Sequence, residues 1–206
     1  MSAIESTELS SIDPEEQARA DLYALLSRLF VAPPDEPLLR ALGAMPVAVG
    51  QGGGSEAERF AQTLQELVDA AASAQQEAVA DEYQDLFVGS GRAEVSLYTG
   101  AYSARSSVDT PLVALRDFLS SQGIQRRSGV HEPEDHVATL LEIMRFLIVQ
   151  KRSEVETQRL FFETFLYDGG VLLCNAISAH SRAQFYRPAA QLMKNFLLVE
   201  QDAFDM

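Results

Sequence analysis

Apolar residues recur along the chain with the period of an α-helix. Spacings of three and four residues are clear near both ends of the sequence, in Leu22, Leu25, Leu26 and Leu29 and again in Phe185, Ala189, Leu192 and Met193. Nowhere do apolar and polar residues alternate for long enough to predict a β-strand. The pattern therefore predicts an all-α fold of roughly eight to ten helices, above the usual helical share of globular proteins.

Capping residues, proline and glycine mark where these helices begin and end. Asp13 before Pro14 is a typical helix start. Helices are expected near 13–31, 36–42, 55–71, 75–88, 109–122, 133–149, 154–167 and 171–180, and near the C-terminus. Pro188 either starts that last helix or kinks a longer one. The segment Asp168-Gly169-Gly170 is expected to interrupt the helical chain. The pattern at 92–102 is compatible with either a helix or a loop.

The length of the chain suits one sizeable hydrophobic core. Residues 1–12 are expected to form a flexible N-terminal arm, and residues 13–206 a single domain. Within that domain, the polar, glycine-bounded stretch 123–130 is predicted to be a hinge. It would join an N-terminal lobe (13–122) to a C-terminal lobe (131–206).

The charge of the chain limits its partners. Sixteen lysines and arginines stand against 30 acidic residues, which gives a net charge of −14 at pH 7. This excess disfavours nucleic acid and anionic membranes and favours cationic partners. The single cysteine, Cys174, lies among apolar residues and is predicted to be a buried structural thiol. No export signal is apparent, and no apolar run approaches the ~20 residues of a membrane span, so we expect a cytoplasmic protein without stable membrane insertion.

A dense polar stretch, 129–136, holds two of the three histidines and three carboxylates. Pro133 suits the first position of a helix, and the acidic residues after it suit the positive end of the helix dipole. Capping alone would explain this composition. The spacing does not match the H-E-x-x-H zinc motif, because Asp135 stands where the second histidine is needed. A metal-dependent helical hydrolase remains an alternative, with candidate ligands His131, Glu134, Asp135 and His136.

Binding chemistry is better represented than catalysis. No arrangement of Ser, His and Asp suggests a catalytic triad, and we expect no catalytic residue, metal or cofactor. Aromatic contact area could come from Tyr83, Phe87, Tyr98 and Tyr102. Glu132 and Asp135 are suited to pairing with arginine. These residues would accept a segment that is both apolar and doubly basic, and an acidic adaptor for some other basic partner is a further alternative.

Two segments resemble motifs of one known family. Residues 82–91 read E-Y-Q-D-L-F-V-G-S-G, which resembles the E-Y-x-x-L-F-x-G-P motif of the TorD/DmsD/NarJ family. Residues 132–136 are similar to its E-P-x-D-H motif. Ser90 replaces the usual proline, and residues 97–102 match the family's P-Y-E-S-Y stretch only loosely.

The resemblance implies an all-α cytoplasmic chaperone for a molybdenum-cofactor oxidoreductase of anaerobic respiration. Such a chaperone binds the twin-arginine signal peptide of the catalytic subunit and holds back export until the cofactor is inserted. The resemblance also implies either a monomer or a domain-swapped homodimer. Carried over by position and joined by Tyr98, the peptide-binding residues would be Tyr83, Phe87, Gly89, Tyr98, Glu132, Pro133, Asp135 and His136.

Overall fold

The computed structural model describes residues 12–48, 56–102, 111–125, 133–151 and 153–206. Their helices, in chain order, are α1 (Pro14–Val31), α2 (Glu36–Gly43), α3 (Glu56–Ser73), α4 (Gln76–Tyr83), α5 (Pro111–Ser121), α6 (Val137–Val149), α7 (Val155–Phe161), α8 (Tyr167–Ala179) and α9 (Tyr186–Phe204). A π-helical segment, Gln84–Val88, extends α4, and another, Phe162–Leu166, joins α7 to α8. Counted as continuous runs, these are eight helices without a strand in the described residues, which confirms the all-α prediction.

Local capping explains several of the helix starts. The Asp13 carboxylate accepts a hydrogen bond of 2.8 Å from the Glu15 N–H, so α1 begins where the sequence predicts. Pro111 is the first residue of α5, as its fixed φ favours. Pro188 lies in the first turn of α9, where a backbone N–H would have no partner within the helix. It therefore belongs to the start of α9 and does not kink a longer helix.

The helices share one hydrophobic core. Helix α1 packs along α6, α9 packs against α8 and α3, and α2 packs against α3. Buried residues from both sides of the predicted hinge belong to the same cluster. Cys174 is fully buried in it, and this burial raises the pKa of its thiol, as expected of a structural residue.

Part of the predicted hinge and of the N-terminal arm lies outside the described residues. Gly123 has a φ of +65°, which favours glycine, and it ends the helical turn after α5. Residues 126–132 and 1–11 are not described. The hinge and the two lobes stay predictions.

The predicted break at 168–170 is wrong, because α8 runs through both glycines. A Cβ at Gly169 would lie 2.6 Å from the Thr99 Cβ, and one at Gly170 would lie 2.9 Å from the Leu197 Cδ1. The two glycines let α8 approach the segment around Thr99 on one side and α9 on the other. Close packing thus outweighs a helix-propensity cost of about 1 kcal/mol for each glycine.

One helical run is long and apolar enough to cross a membrane, by length and composition alone. Val155–Ala179 has 25 residues and a mean hydropathy of 1.3 over its most apolar part. Glu163 and Asp168 interrupt the apolar sequence. Its fully buried residues belong to the core and are Phe161, Phe162, Leu166, Leu173, Cys174 and Ile177. In this fold 39% of its most apolar window is buried, and these residues form part of the core.

A buried polar network joins α1, α7 and α9. The Arg19 Nε donates to both Glu200 carboxylate oxygens, at 2.8 and 2.7 Å, and its Nη1 donates to the Gln158 Oε1 at 2.8 Å. The Tyr23 hydroxyl donates to the Glu200 Oε2 at 2.7 Å. Burial, and next the Glu200 charge, raise the pKa of Tyr23, so the hydroxyl stays a donor. The guanidinium also lies 5.2 Å from the centre of the Phe204 ring.

Replacing Glu200 should destabilise the protein strongly. Glu200→Ala would leave the largely buried Arg19 guanidinium with only the exposed Glu16, 3.8 Å away, as a counter-charge, and we expect a loss of about 3 kcal/mol in the free energy of unfolding. Urea unfolding followed by circular dichroism measures this loss. Glu36→Ala is the control, since its pair with Arg40 is 66% and 72% exposed and should contribute less than about 1 kcal/mol. Equal losses in the two variants would show that the buried network contributes no special stability.

Candidate functional site

An open groove of about 560 Å³ lies between α5, α8 and the segment around the 3-10 turn Thr99–Ala101. Its apolar lining comes from Leu115, Phe165, Val171 and Leu172. Its polar and aromatic lining comes from Thr99, Tyr102, Asp135, Thr164, Tyr167 and Asp168. A groove of this composition can hold an apolar segment beside carboxylates that attract a cation.

The backbone fixes the place of Asp135 at the groove. The Thr99 N–H donates to the Asp135 carbonyl at 3.0 Å, and the Val137 N–H donates to the Leu97 carbonyl at 2.8 Å. These two hydrogen bonds lie on either side of an isolated antiparallel bridge between Tyr98 and His136. The segments 97–99 and 135–137, which we call the paired segments, are therefore held together by main-chain atoms.

Helix α6 begins at Val137, so the prediction of a helix start at Pro133 is wrong. The Asp135 carbonyl accepts from Thr99 and not from a residue one helical turn further on, and Pro133 is exposed. The cap is His136, whose Nδ1 accepts a hydrogen bond of 3.3 Å from the Ala138 N–H. Asp135, which the sequence left open as a cap, is free to act in the groove.

His136 and Tyr98 contact each other within the paired segments, next to the groove residues Thr99 and Asp135. The His136 side chain is 5% exposed, and the centre of its ring lies 5.2 Å from that of Tyr98, nearly at right angles. Tyr98 is half-buried. Neither residue lines the groove. Both were predicted to contact a peptide directly, and that contact stays a prediction.

Two carboxylates in the groove have no partner among the described residues. Neither the Asp135 nor the Asp168 side chain makes a hydrogen bond or ion pair with this part of the chain. The neighbouring Glu134, in contrast, accepts from the Arg116 guanidinium at 3.0 Å. The absence of a side chain at Gly100 leaves space for the Asp135 carboxylate, because a Cβ there would lie 2.7 Å from the Asp135 Oδ2. The groove thus holds negative charge that no described arginine or lysine neutralises.

Tyr83 and Phe87, predicted to face a peptide, lie in the core. Their exposed fractions are 7% and 8%. The Tyr83 hydroxyl is 3.2 Å from the carbonyls of Phe30 and Val31, to which it donates at the end of α1. Both rings also pack against Tyr186 of α9. They do not line the groove, and their predicted role in peptide contact stays untested.

Glu82, which precedes Tyr83, caps the N-terminus of α9. Its carboxylate accepts hydrogen bonds from the backbone N–H groups of Gln184, Phe185 and Tyr186, at 2.9, 3.0 and 2.9 Å. These N–H groups have no helical acceptor, and the positive end of the helix dipole adds to the attraction. The first two residues of the E-Y-x-x-L-F motif therefore connect the end of α1 to the start of α9.

Gly89 ends the same motif with a conformation that favours glycine. Its φ is +65°, and a Cβ there would lie 2.2 Å from the Arg92 carbonyl oxygen. Its N–H donates to the Gln84 carbonyl at 2.7 Å and closes the π-helical segment. Gly89 shapes a turn and offers no side chain to a ligand, so its predicted place in the peptide surface also stays untested.

The candidate metal ligands fall only partly within the described residues. His131 lies outside them, as does Glu132 of the predicted peptide surface. Among the residues that are described, no group of three His, Cys, Asp or Glu side chains is placed to hold a metal ion. The His136 Nδ1 is used as a cap, and Glu134 pairs with Arg116. The hydrolase alternative gains no support from this part of the chain.

Comparison with known proteins identifies the family. Residues 54–168, more than half of the chain, match the family described as nitrate reductase delta subunit. The chain belongs to this family. The resemblance to the TorD/DmsD/NarJ family, which the two sequence motifs predicted, is thereby confirmed.

Curated relatives of this nitrate reductase delta subunit family member are chaperones. It is 26% identical over 204 residues to the chaperone protein TorD of Vibrio vulnificus strain YJ016, covering 90% of this chain and 94% of that one. It is 23% identical over 205 residues to TorD of Vibrio cholerae El Tor Inaba N16961, covering 92% and 93%. A third match, to TorD of Vibrio cholerae strain O395, is 27% identical over 140 residues and spans only 63% of that relative.

The fold is shared with a more distant protein. A crystal structure from Archaeoglobus fulgidus, described as a redox enzyme maturation protein, superposes with a TM-score of 0.53. The two chains are 18% identical, and the match covers 94% of this chain and 99% of that one. At this identity the likeness concerns the fold alone.

Asp168 is a charged residue of the groove that the sequence did not single out as a binding residue. It was interpreted as part of a chain break, together with the two glycines that follow it. The spacing of Asp168 and Leu172 by four residues puts both on one face of a helix, and that signal was available once α8 was known to continue. What the sequence alone could not supply was the approach of this face to Asp135.

Removing the Glu82 carboxylate should weaken the fold and spare the groove. Glu82→Ala deprives three N–H groups of their acceptor, so we expect a loss of about 2 kcal/mol in the free energy of unfolding, with peptide affinity unchanged. Urea unfolding and peptide titration check the two parts. Asp81→Ala, an exposed neighbour on α4, is the control and should change stability by less than about 0.5 kcal/mol. Weaker peptide binding at unchanged stability would instead place the motif in the binding surface.

The cap at His136 gives a second stability prediction. His136→Ala should lower the free energy of unfolding by about 1 kcal/mol, because the Ala138 N–H loses its acceptor. For a chain of this size that corresponds to a melting temperature about 2–4 °C lower. His136→Asn keeps a capping oxygen and should recover most of the loss. If the asparagine variant is as unstable as the alanine variant, capping is not the contribution of this side chain.

Proposed function

We propose that this protein is a cytoplasmic chaperone for the catalytic subunit of a molybdenum-cofactor oxidoreductase. In this proposal it binds the twin-arginine signal peptide of that subunit and holds back export while the cofactor is inserted. Membership of the family and the chaperone relatives support the general role. The groove beside Asp135 is the observation that supports peptide binding.

The chemistry of the groove suits a signal peptide. Such a peptide joins a basic start to an apolar stretch, and the groove joins an unpaired carboxylate to apolar walls. Leu172 is 46% exposed in the free protein, so it has surface left to bury against a ligand. A net charge of −14 adds long-range attraction for the basic end.

Binding would proceed without covalent chemistry. The Asp135 carboxylate would pair with an arginine of the peptide, while Phe165 and Leu172 contact its apolar stretch. Because Asp135 is held through its own main chain by the paired segments, little side-chain or loop ordering would be needed on binding. The peptide would stay covered, and hence unavailable for export, as long as it occupied the groove.

A peptide titration tests the proposal. A synthetic peptide with an adjacent arginine pair followed by an apolar stretch should bind in calorimetry, and more weakly as salt is raised. Asp135→Asn should weaken this binding about tenfold or more, since a hydrogen-bonded charge pair contributes at least 1.4 kcal/mol. Asp81→Asn removes the same charge outside the groove and should leave the affinity nearly unchanged.

Two results would contradict the proposal. One is the absence of binding by the wild-type protein, and the other is equal binding of a scrambled peptide of the same composition. A general acidic adaptor would give the second result, with salt dependence but no sequence preference. A pull-down from the source cell, with the captured subunit identified by mass spectrometry, then tests whether the client is a molybdoenzyme.

A further inference from the structure

We propose that Asp168 binds one of two adjacent arginines while Asp135 binds the other, and that the groove thereby selects an arginine pair over a single arginine. This inference rests on the proposed function, because it concerns the same groove. Asp168 does not belong to either of the two sequence motifs that indicated the family. It is therefore a specificity residue that the geometry of this chain assigns.

The two carboxylates reach the groove from different elements. Asp135 lies in the paired segments before α6, and Asp168 lies on α8. Both elements approach the turn at Thr99 and Gly100 very closely. A Cβ at Gly169 would lie 2.6 Å from the Thr99 Cβ, and one at Gly100 would lie 2.7 Å from the Asp135 Oδ2. Glycines at these two contacts thus let the two elements that carry the carboxylates pack against the same turn.

Both carboxylates are available to a ligand, unlike several of their acidic neighbours. Arg116 pairs with Glu134, and Arg159 pairs with Glu163. Asp168 has no hydrogen-bonding or ionic partner among the described residues and is exposed. The helix also continues from the preceding π-helical segment into α8 without a new start, because the Tyr167 N–H donates to the Phe162 carbonyl. No free helix N-terminus therefore competes with a cation for this carboxylate.

An extended peptide needs this arrangement to present two neighbouring arginines. Successive side chains of an extended chain point to opposite sides, so two adjacent arginines require acceptors on two walls. A single carboxylate can satisfy only one of them well. Leu172, four residues after Asp168, lies on the same face of α8 and also lines the groove. The apolar stretch of the peptide can thus follow directly beyond its arginine pair.

A peptide series combined with Asp168 variants tests this assignment. The peptides carry two arginines, a glutamine in place of the first, a glutamine in place of the second, or glutamine at both positions. The wild-type protein should lose about tenfold in affinity at each replacement. In Asp168→Asn one of the two replacements should cost almost nothing, while the other keeps its full effect. Asp135→Asn should show the reverse pattern, and Asp168→Glu should restore part of the discrimination.

Controls separate this inference from charge and folding effects. Asp81→Asn changes the net charge equally and should keep the wild-type pattern across all four peptides. The melting temperature of Asp168→Asn should equal that of the wild type, since its carboxylate has no internal partner to lose. If Asp168→Asn binds the pair but keeps both penalties, the assignment of Asp168 is wrong and the proposed function stands. If the wild-type protein binds none of the peptides, the proposed function and this inference both fail.

Discussion

The backbone pairing of residues 97–99 with 135–137 is the contact on which the groove depends. In it, the Asp135 carbonyl and the Val137 N–H are hydrogen-bonded to Thr99 and Leu97, so α6 starts only at Val137. The same pairing brings Thr99 and Gly100 against Asp135. Without it, Asp135 would lose the main-chain contacts that hold its carboxylate beside the apolar face of α8. Main-chain hydrogen bonds are well suited to this task, because they do not depend on the rotamer of any side chain.

The E-Y-x-x-L-F motif contributes to stability at a different place. Glu82 caps α9, Tyr83 donates to the end of α1, and Gly89 makes the turn that follows. Each of these residue types has a physical reason that involves only the protein itself. A motif can therefore identify a family well and yet consist of residues that hold the fold together, while the ligand meets other side chains.

Electrostatics links the groove to the rest of the surface. Near the groove, Arg116 and Arg159 pair with carboxylates of their own neighbourhood, and Arg182 does the same with Asp85 and Glu94. Asp135 and Asp168 keep their charge for a ligand. In a chain with a large acidic excess, such unpaired carboxylates retain the attraction for cations, and the apolar walls add the contact area that a small cation would not use.

The sequence by itself determined the positions of most helices, the all-α class and the family, because apolar periodicity, caps and motifs are local features. The apolar residues around Cys174 also predicted its burial in the core correctly. Tertiary structure decided which polar residues meet. Glycines interpreted as a break became the close contacts of α8, and Tyr83 and Phe87 turned inward because α1 and α9 cover them. Asp168 reached the groove of Asp135 only through the packing of α8 against the turn at Thr99, a long-range contact with no counterpart in local sequence.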